Sequence, residues 1–324
     1  MTEDTPAPLV EVLLPGVQSS LQDLGRRGYQ SLGIAEAGAM DTYSLVLANR
    51  LLNNSDGAAC LEITLMGPKL RFLSDAFFAL AGADLSANLA GRLLLPGTVH
   101  EAKKGDVLAF GARRKGMRGY LAVPGGFYAP PVLGSLSTYI YAGFGGLQGR
   151  ALIKGDRLSS GRADPKPQLK LEELPAGLTL PADGPRLLRV IMGPHEERFS
   201  KAGIEAFLGG AYEVTSHSNR MGYRLKGPRI EHLDGPIVVS EATPLGAVQV
   251  PGGGQPVLLL RERGVTGGYT KIACIITPDI DLIGQTTFGC EIRFKAVDLA
   301  QAHQAERERW QAMNAWRPAA ETKV

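Results

Sequence analysis

Short apolar runs closed by glycine or proline recur along the whole sequence, and they constrain the fold more than any other feature. "LVEVLL" (9–14), "AFFALAG" (76–82), "GYLAVPGG" (119–126), "RLLRVIM" (186–192), "PIVVSE" (236–241), "PVLLLRE" (256–262) and "KIACIIT" (271–277) are strand-length runs bounded by turn formers. The 41 glycines among 324 residues stand well above the usual ~7% and follow no collagen-like period. They call for many turns and bulges, so the expected fold is mainly β. A chain of this length buries a sizeable core as two domains or one large one.

Helical signals are few. "DTYSLVLANRLLNN" offers Asp41 as N-cap, with Leu45, Ala48 and Leu52 on one face. "HEERFSKAGIEAFLGG" places acidic residues in a first turn, then a stripe at Phe199, Ala202 and Ala206 and a stop at Gly209. A last helix is expected over 298–313, on which Trp310 and the following Trp316 either offer an apolar patch or pack at home, and its tip "NAWRPAAETKV" is expected to fray. Five prolines between Asp164 and Pro185 mark a linker. The expected division is a β-barrel domain over 1–163, the linker 164–185, a second β-barrel over 186–297, and a helix and tail over 298–324.

A faint internal repeat supports two related barrels. "LMGPKL" (65–70) recurs as "LKGPRI" (225–230), "LLLPG" (93–97) as "VQVPG" (248–252), and "RGYLAV" (118–123) as "GGYTKI" (267–272). The order is preserved and the separation falls from 160 to 155 to 149 residues, as loop indels between two copies of one fold would give.

Several chemistries are excluded. There is no Walker A loop, no G-x-S-x-G elbow and no H-E-x-x-H; "GFGGLQGR" (143–150) misses G-x-G-x-x-G by one place. Cys60, Cys274 and Cys290 have no metal or disulfide spacing. His195 and His217 read as a helix-start residue and a loop residue, not a catalytic pair. The net charge of +3 does not argue for nucleic acid, and the basic stretch 103–118 lacks aromatic platforms. No signal peptide or membrane-length run is read, so a cytoplasmic protein is expected.

Three polar stretches remain. Gln22, Asp23, Arg26 and Arg27 in "SSLQDLGRRGYQ" either bind a carboxylate or phosphate or pin their own loop, and the residues leave both readings open. Asn219 and Arg220 in "SHSNRMGYRLKGP" precede a turn into a strand, where arginine is an anion ligand or a cross-strand partner. Glu241, Gln249, Thr266, Tyr269 and Lys271 are interleaved with turn glycines over 240–273. Tyr269 and Lys271 would share one strand face; the residues alone favour a lysine that snorkels to the surface over one pointing into a cleft.

Taken in order, "GVQSSLQDLGRRGYQSLGI", "GAMD", "ANRLLNN", "LEITLMGPKLRF", "LAGADLSANL", "SNRMGYRLKGP", "PLGAVQVPGGGQPVLLL" and "TGGYTKIA" resemble the carboxyltransferase-type proteins related to allophanate hydrolase subunit 2, a family that includes the C subunit of 5-oxoprolinase. The resemblance runs from about Val10 to Phe294. It implies two cyclophilin-like barrels and one of three functions. The branch it favours opens 5-oxo-L-proline to L-glutamate with ATP and two partners, one like the A subunit and one like the B subunit of that enzyme. Another moves a carboxyl group from carboxybiotin, held on a separate protein, to urea. A third, of the Bacillus KipA type, is a regulatory binding protein. The resemblance carries catalytic expectations onto Lys271, Arg220, Glu241 and Asp23, and substrate-binding expectations onto Gln22, Arg26, Arg27, Asn219, Gln249, Thr266, Gly268 and Tyr269. No metal ligand set is expected, and ATP with Mg2+ is expected on, or shared with, a partner protein.

Overall fold

The computed structural model describes residues 6–161 and 180–316. Most of the Pro-rich linker (164–179) and the last eight residues lie outside the described residues. The chain divides into two compact units that are not contiguous in sequence: Met1–Arg26, Ala37–Ala182 and Ala312–Val324 form the first, Arg27–Glu36 and Asp183–Gln311 the second. The mainly β expectation holds in both.

The first unit runs β1 (Pro8–Leu14), β2 (Gln18–Gln22), α1 (Thr42–Leu51), β3 (Cys60–Thr64), β4 (Lys69–Phe72), β5 (Ala76–Asp84), β6 (Asn88–Leu89), β7 (Arg92–Leu93), β8 (Thr98–Ala102), β9 (Val107–Ala109), β10 (Lys115–Ala122) and β11 (Arg157–Ser159). One sheet has the order β11-β1-β4-β9-β6-β7 and the other β2-β3-β10-β5-β8. Their facing side chains share one core, with Val10, Val12, Leu70 and Phe72 meeting Leu61, Ile63, Phe78 and Leu121. The other face of the second sheet is covered by α1, whose Leu45 and Ala48 pack with Cys60, Ala79, Ala81 and Tyr120. Both faces of β3 are therefore buried, which is why its sequence does not alternate. Asp41 caps α1, its carboxylate accepting the Ser44 N–H at 2.9 Å. Met313 and Trp316 are buried in the same α1 cluster, whereas Trp310 is exposed.

The second unit contains β12 (Arg186–Met192), α2 (Lys201–Gly209), β13 (Tyr212–Val214), β14 (Gly222–Lys226), β15 (Ile237–Ala242), β16 (Ala247–Gln249), β17 (Val257–Leu259), β18 (Thr266–Tyr269), β19 (Lys271–Ile275), α3 (Thr277–Gly284), β20 (Glu291–Ala296) and α4 (Leu299–Ala315), the last of which ends within residues of the first unit. Seven of these strands close a barrel in the order β12-β19-β16-β17-β14-β13-β20, sealed by the parallel pair β12 and β20. β15 and β18 form a separate two-stranded ribbon whose register slips between Ile237 and Glu241.

Two local expectations are corrected. The helix expected from His195 is a 3-10 turn over Glu196–Arg198, a break at Phe199, and then α2, whose N-cap Ser200 accepts the Gly203 N–H at 3.0 Å. The run "KIACIIT" is not one strand to 277: Ile276 is the extended N-cap of α3. Asp279 in the first turn of α3 is buried and accepts from the Arg189 backbone N–H at 2.7 Å, tying α3 to β12. In the basic stretch 103–118, Lys103 pairs with Glu101, Arg114 lies near Asp84, and Arg118 is buried against Glu62.

Candidate functional site

β18 runs into β19 through Thr270, which is fully buried and whose hydroxyl lies 3.0 Å from His232 Nε2. This anchored step sets the next residue, Lys271, inside the barrel wall at 2% exposure. The snorkelling expectation is thus corrected: the ammonium stays in, because a carboxylate comes to it from the ribbon. Lys271 Nζ lies 2.7 Å from Glu241 Oε1. The contact is close but off the hydrogen-bonding direction, and Nζ has no well-directed hydrogen bond among the described residues. Glu241 is 43% exposed, and the Lys271 ammonium holds its carboxyl below the ordinary glutamate range against a weaker opposing effect of desolvation.

His195 starts a 3-10 turn, as expected of a helix-start residue, and it also completes the cluster. Its side chain makes no capping bond in that turn. Its Nδ1 instead accepts the Lys271 backbone N–H at 3.0 Å, and its Nε2 lies 3.2 Å from the same Glu241 Oε1.

Gln249 stands opposite Lys271 in the β16–β19 ladder, so the two side chains leave the same face. It is 8% exposed, and its carboxamide makes no hydrogen bond among the described residues. The carboxamide lies over Gly267: a Cβ there would sit 2.7 Å from Gln249 Nε2. A buried cation, a half-exposed carboxylate, an imidazole and a free carboxamide therefore meet where ribbon and barrel join. Together they can hold an oxyanion, accept a proton and pair with an amide edge.

The other candidates lie elsewhere in the local structure. Tyr269 is on the ribbon, 44% exposed and opposite Ile237, so it does not share a strand face with Lys271. Thr266 pairs with Ala242, and a Cβ on Gly268 would press on Val238 O and Ser240 Oγ, so both serve the ribbon. Arg220 is buried against Glu262, and Asn219 accepts the Met221 N–H at 2.8 Å to close its own turn. Asp23 accepts from Gly25 N, Ser135 Oγ, Leu136 N and Ser137 Oγ. Gln22 donates to Ser20 Oγ and Thr138 O, while Arg26 donates to Ser137 O and lies 4.9 Å above the Phe144 ring. The Gln22–Arg26 stretch thus grips the 135–144 loop, and Arg27 beyond it is exposed. Among the described residues no group of three or more His, Cys, Asp or Glu side chains is placed to hold a metal ion, and no helix is long and apolar enough to cross a membrane.

The family model for the carboxyltransferase domain, subdomain A and B, matches residues 32–296. The chain belongs to this carboxyltransferase-domain family. It is 37% identical over 312 residues to the C subunit of 5-oxoprolinase from Escherichia coli (strain K12), covering 95% of this chain and 98% of that protein. It is 32% identical over 300 residues to the corresponding C subunit from Haemophilus influenzae, covering 93% and 95% respectively. The solved structure of the urea amidolyase of K. lactis superposes with a TM-score of 0.90 at 31% identity, covering 100% of this chain and 21% of that one. This chain thus spans about a fifth of the length of that protein. Sequence reasoning placed Lys271, Glu241 and Gln249 among the site residues, but passed over His195 and the buried Glu262.

Proposed function

We propose that this chain is the C-type component of an ATP-dependent 5-oxoprolinase, which opens 5-oxo-L-proline to L-glutamate together with an A-like and a B-like partner. The observation that carries the reading is the Lys271–Glu241–His195–Gln249 cluster, on a chain that matches the C subunit of bacterial 5-oxoprolinase nearly end to end.

A lactam carbonyl resists water because its nitrogen donates into it, so the oxygen has to be activated before the ring C–N bond breaks. ATP supplies that activation by transferring its terminal phosphoryl group to the carbonyl oxygen, releasing ADP; phosphate then leaves as water adds and the ring nitrogen, taking up a proton, departs from the carbon. The sequence has no Walker loop, and nucleotide with Mg2+ is bound by, or shared with, a partner protein. In this chain, Lys271 faces the negative charge that develops on oxygen; its ammonium is buried, so little water screens it. Gln249 offers an acceptor and a donor side by side, the complement of a ring amide that shows N–H and C=O on one edge. Glu241, ionised and half-exposed, takes the proton from attacking water. Ile237 and Val239 on the ribbon are 71% and 90% exposed and give an apolar face for a partner.

The test is 5-oxoproline-dependent ATP hydrolysis with glutamate release by the assembled three-component system. Activity is expected to require this chain and to fall at least ~100-fold in Lys271→Ala, the scale of losing one oxyanion donor. An assembled but inactive wild-type system would overturn it. The close superposition on urea amidolyase favours a second reading, carboxyl transfer from carboxybiotin to urea, to be assayed on the same preparation.

A further inference from the structure

We infer that His195 is the positioning residue of the Lys271–Glu241 pair, acting as a neutral ring that carries its proton on Nε2. The inference rests on the proposed role of that pair. The chain reaches His195 through Gly193, whose N–H donates to Ile272 O at 2.8 Å; any side chain at Gly193 would collide with the Lys271 carbonyl oxygen. Glycine is therefore required where the chain leaves β12 beside β19, and the imidazole arrives 14% exposed against Lys271.

The two ring nitrogens then have different tasks. The Lys271 backbone N–H donates to Nδ1, so the lone pair there is used and the proton of the neutral ring sits on Nε2. Nε2 faces Glu241 Oε1, the oxygen already approached by Nζ. Oε1 is thus bracketed by two N–H-bearing groups, while Oε2 carries no hydrogen bond among the described residues and is left for the proton-transfer step. Glu241 needs this anchor. It lies on the two-stranded ribbon, at the register slip, and the four residues Val239–Ala242 that include it are exposed. One side chain thus fixes the backbone under the ammonium and steers the carboxylate above it.

The experiment separates this from the function itself. In the isolated full-length chain, long-range proton–nitrogen spectra of labelled histidine are expected to show His195 with Nε2 protonated, and His195→Ala is expected to speed hydrogen exchange at the Lys271 amide. A ring protonated on Nδ1, or unchanged exchange in His195→Ala, would overturn the inference whether or not the complex turns out to be a 5-oxoprolinase. In the assembled system, His195→Asn keeps an acceptor near the Nδ1 position and loses Nε2, while His195→Gln puts a carboxamide N–H near Nε2. His195→Asn is expected to lose about 10- to 100-fold in kcat with KM within about twofold, the scale of a misplaced group, and His195→Gln to recover most of it. Equal activity of all three proteins would overturn the positioning role. A wild-type system without 5-oxoproline turnover would sink the proposed function and leave the tautomer and exchange results to decide this one.

Discussion

Gln249 faces Lys271 across the β16–β19 ladder, and neither side chain spends its polar end on a well-directed protein hydrogen bond among the described residues. A buried ammonium and a buried carboxamide kept in that state cost stability, because each was fully solvated in the unfolded chain. A fold tolerates such a pair where a ligand supplies the missing partners.

Lys271→Met should therefore separate stability from function. Methionine nearly matches the lysine stem, and the Glu241 carboxylate left behind is half-exposed and remains solvated. The urea midpoint is expected to stay within about 1 kcal/mol of wild type or to rise, whereas turnover in the assembled system falls about 100- to 1,000-fold. A variant that loses several kcal/mol would make Lys271 a structural residue instead.

Gly267→Ala tests the carboxamide. The new Cβ would lie 2.7 Å from Gln249 Nε2 and 3.1 Å from Thr243 Cγ2, and the flexible glutamine end is what gives way. The backbone there is not left-handed, so stability should change by no more than about 1 kcal/mol. A rise in KM of several-fold with an intact fold is expected; unchanged KM would remove Gln249 from substrate binding.

Much of the fold could be read locally. The Asp41 cap, the strand runs 9–14, 76–82 and 186–192, and the last helix are set by near neighbours in sequence, and each appears within a few residues of its expected place. Two breaks were missed although their signals were present: Ser200 three residues before Gly203, and Pro278 with Asp279 opening α3. An apolar run flowing into each break hid it. The site was legible in its residue types but not in its contacts. Glu241 reaches Lys271 only because β15 pairs with β18, and His195 reaches it from 76 residues away. The stretch Gln22–Arg26 shows the reverse. Gln22, Asp23 and Arg26 read in sequence either as an anion site or as a loop pin, and the partners that show the pinning, Ser135, Leu136, Ser137 and Thr138, lie more than 110 residues on.

The Glu241 carboxyl sets a pH dependence. Its folded-state pKa is depressed chiefly by Lys271, so its contribution to stability is present above the unfolded carboxyl range near ~4.3 and is lost as pH falls through the lower folded value. The stability difference between wild type and Glu241→Gln should accordingly be present at about pH 5 and shrink below about pH 4. Solvent screening of a half-exposed group keeps it to about 1 kcal/mol or less. A difference that grows as pH falls would contradict the pairing.

Asp23→Ala should behave oppositely to Lys271→Met. The Asp23 carboxylate is 6% exposed and accepts from Ser135 Oγ at 2.7 Å, Leu136 N at 2.6 Å and Gly25 N at 2.7 Å, with Ser137 Oγ as a fourth donor. With its lone pairs taken up in this way it has little capacity left for substrate or water. Removing it strands several buried donors at once, each worth about 1–3 kcal/mol, so a loss of at least about 3 kcal/mol in unfolding free energy is expected. Turnover per folded molecule, measured well below the lowered melting temperature, should stay within a few-fold of wild type, because the 135–144 loop contributes no member of the Lys271 cluster. A variant of unchanged stability that had lost turnover would instead place Asp23 in the chemistry.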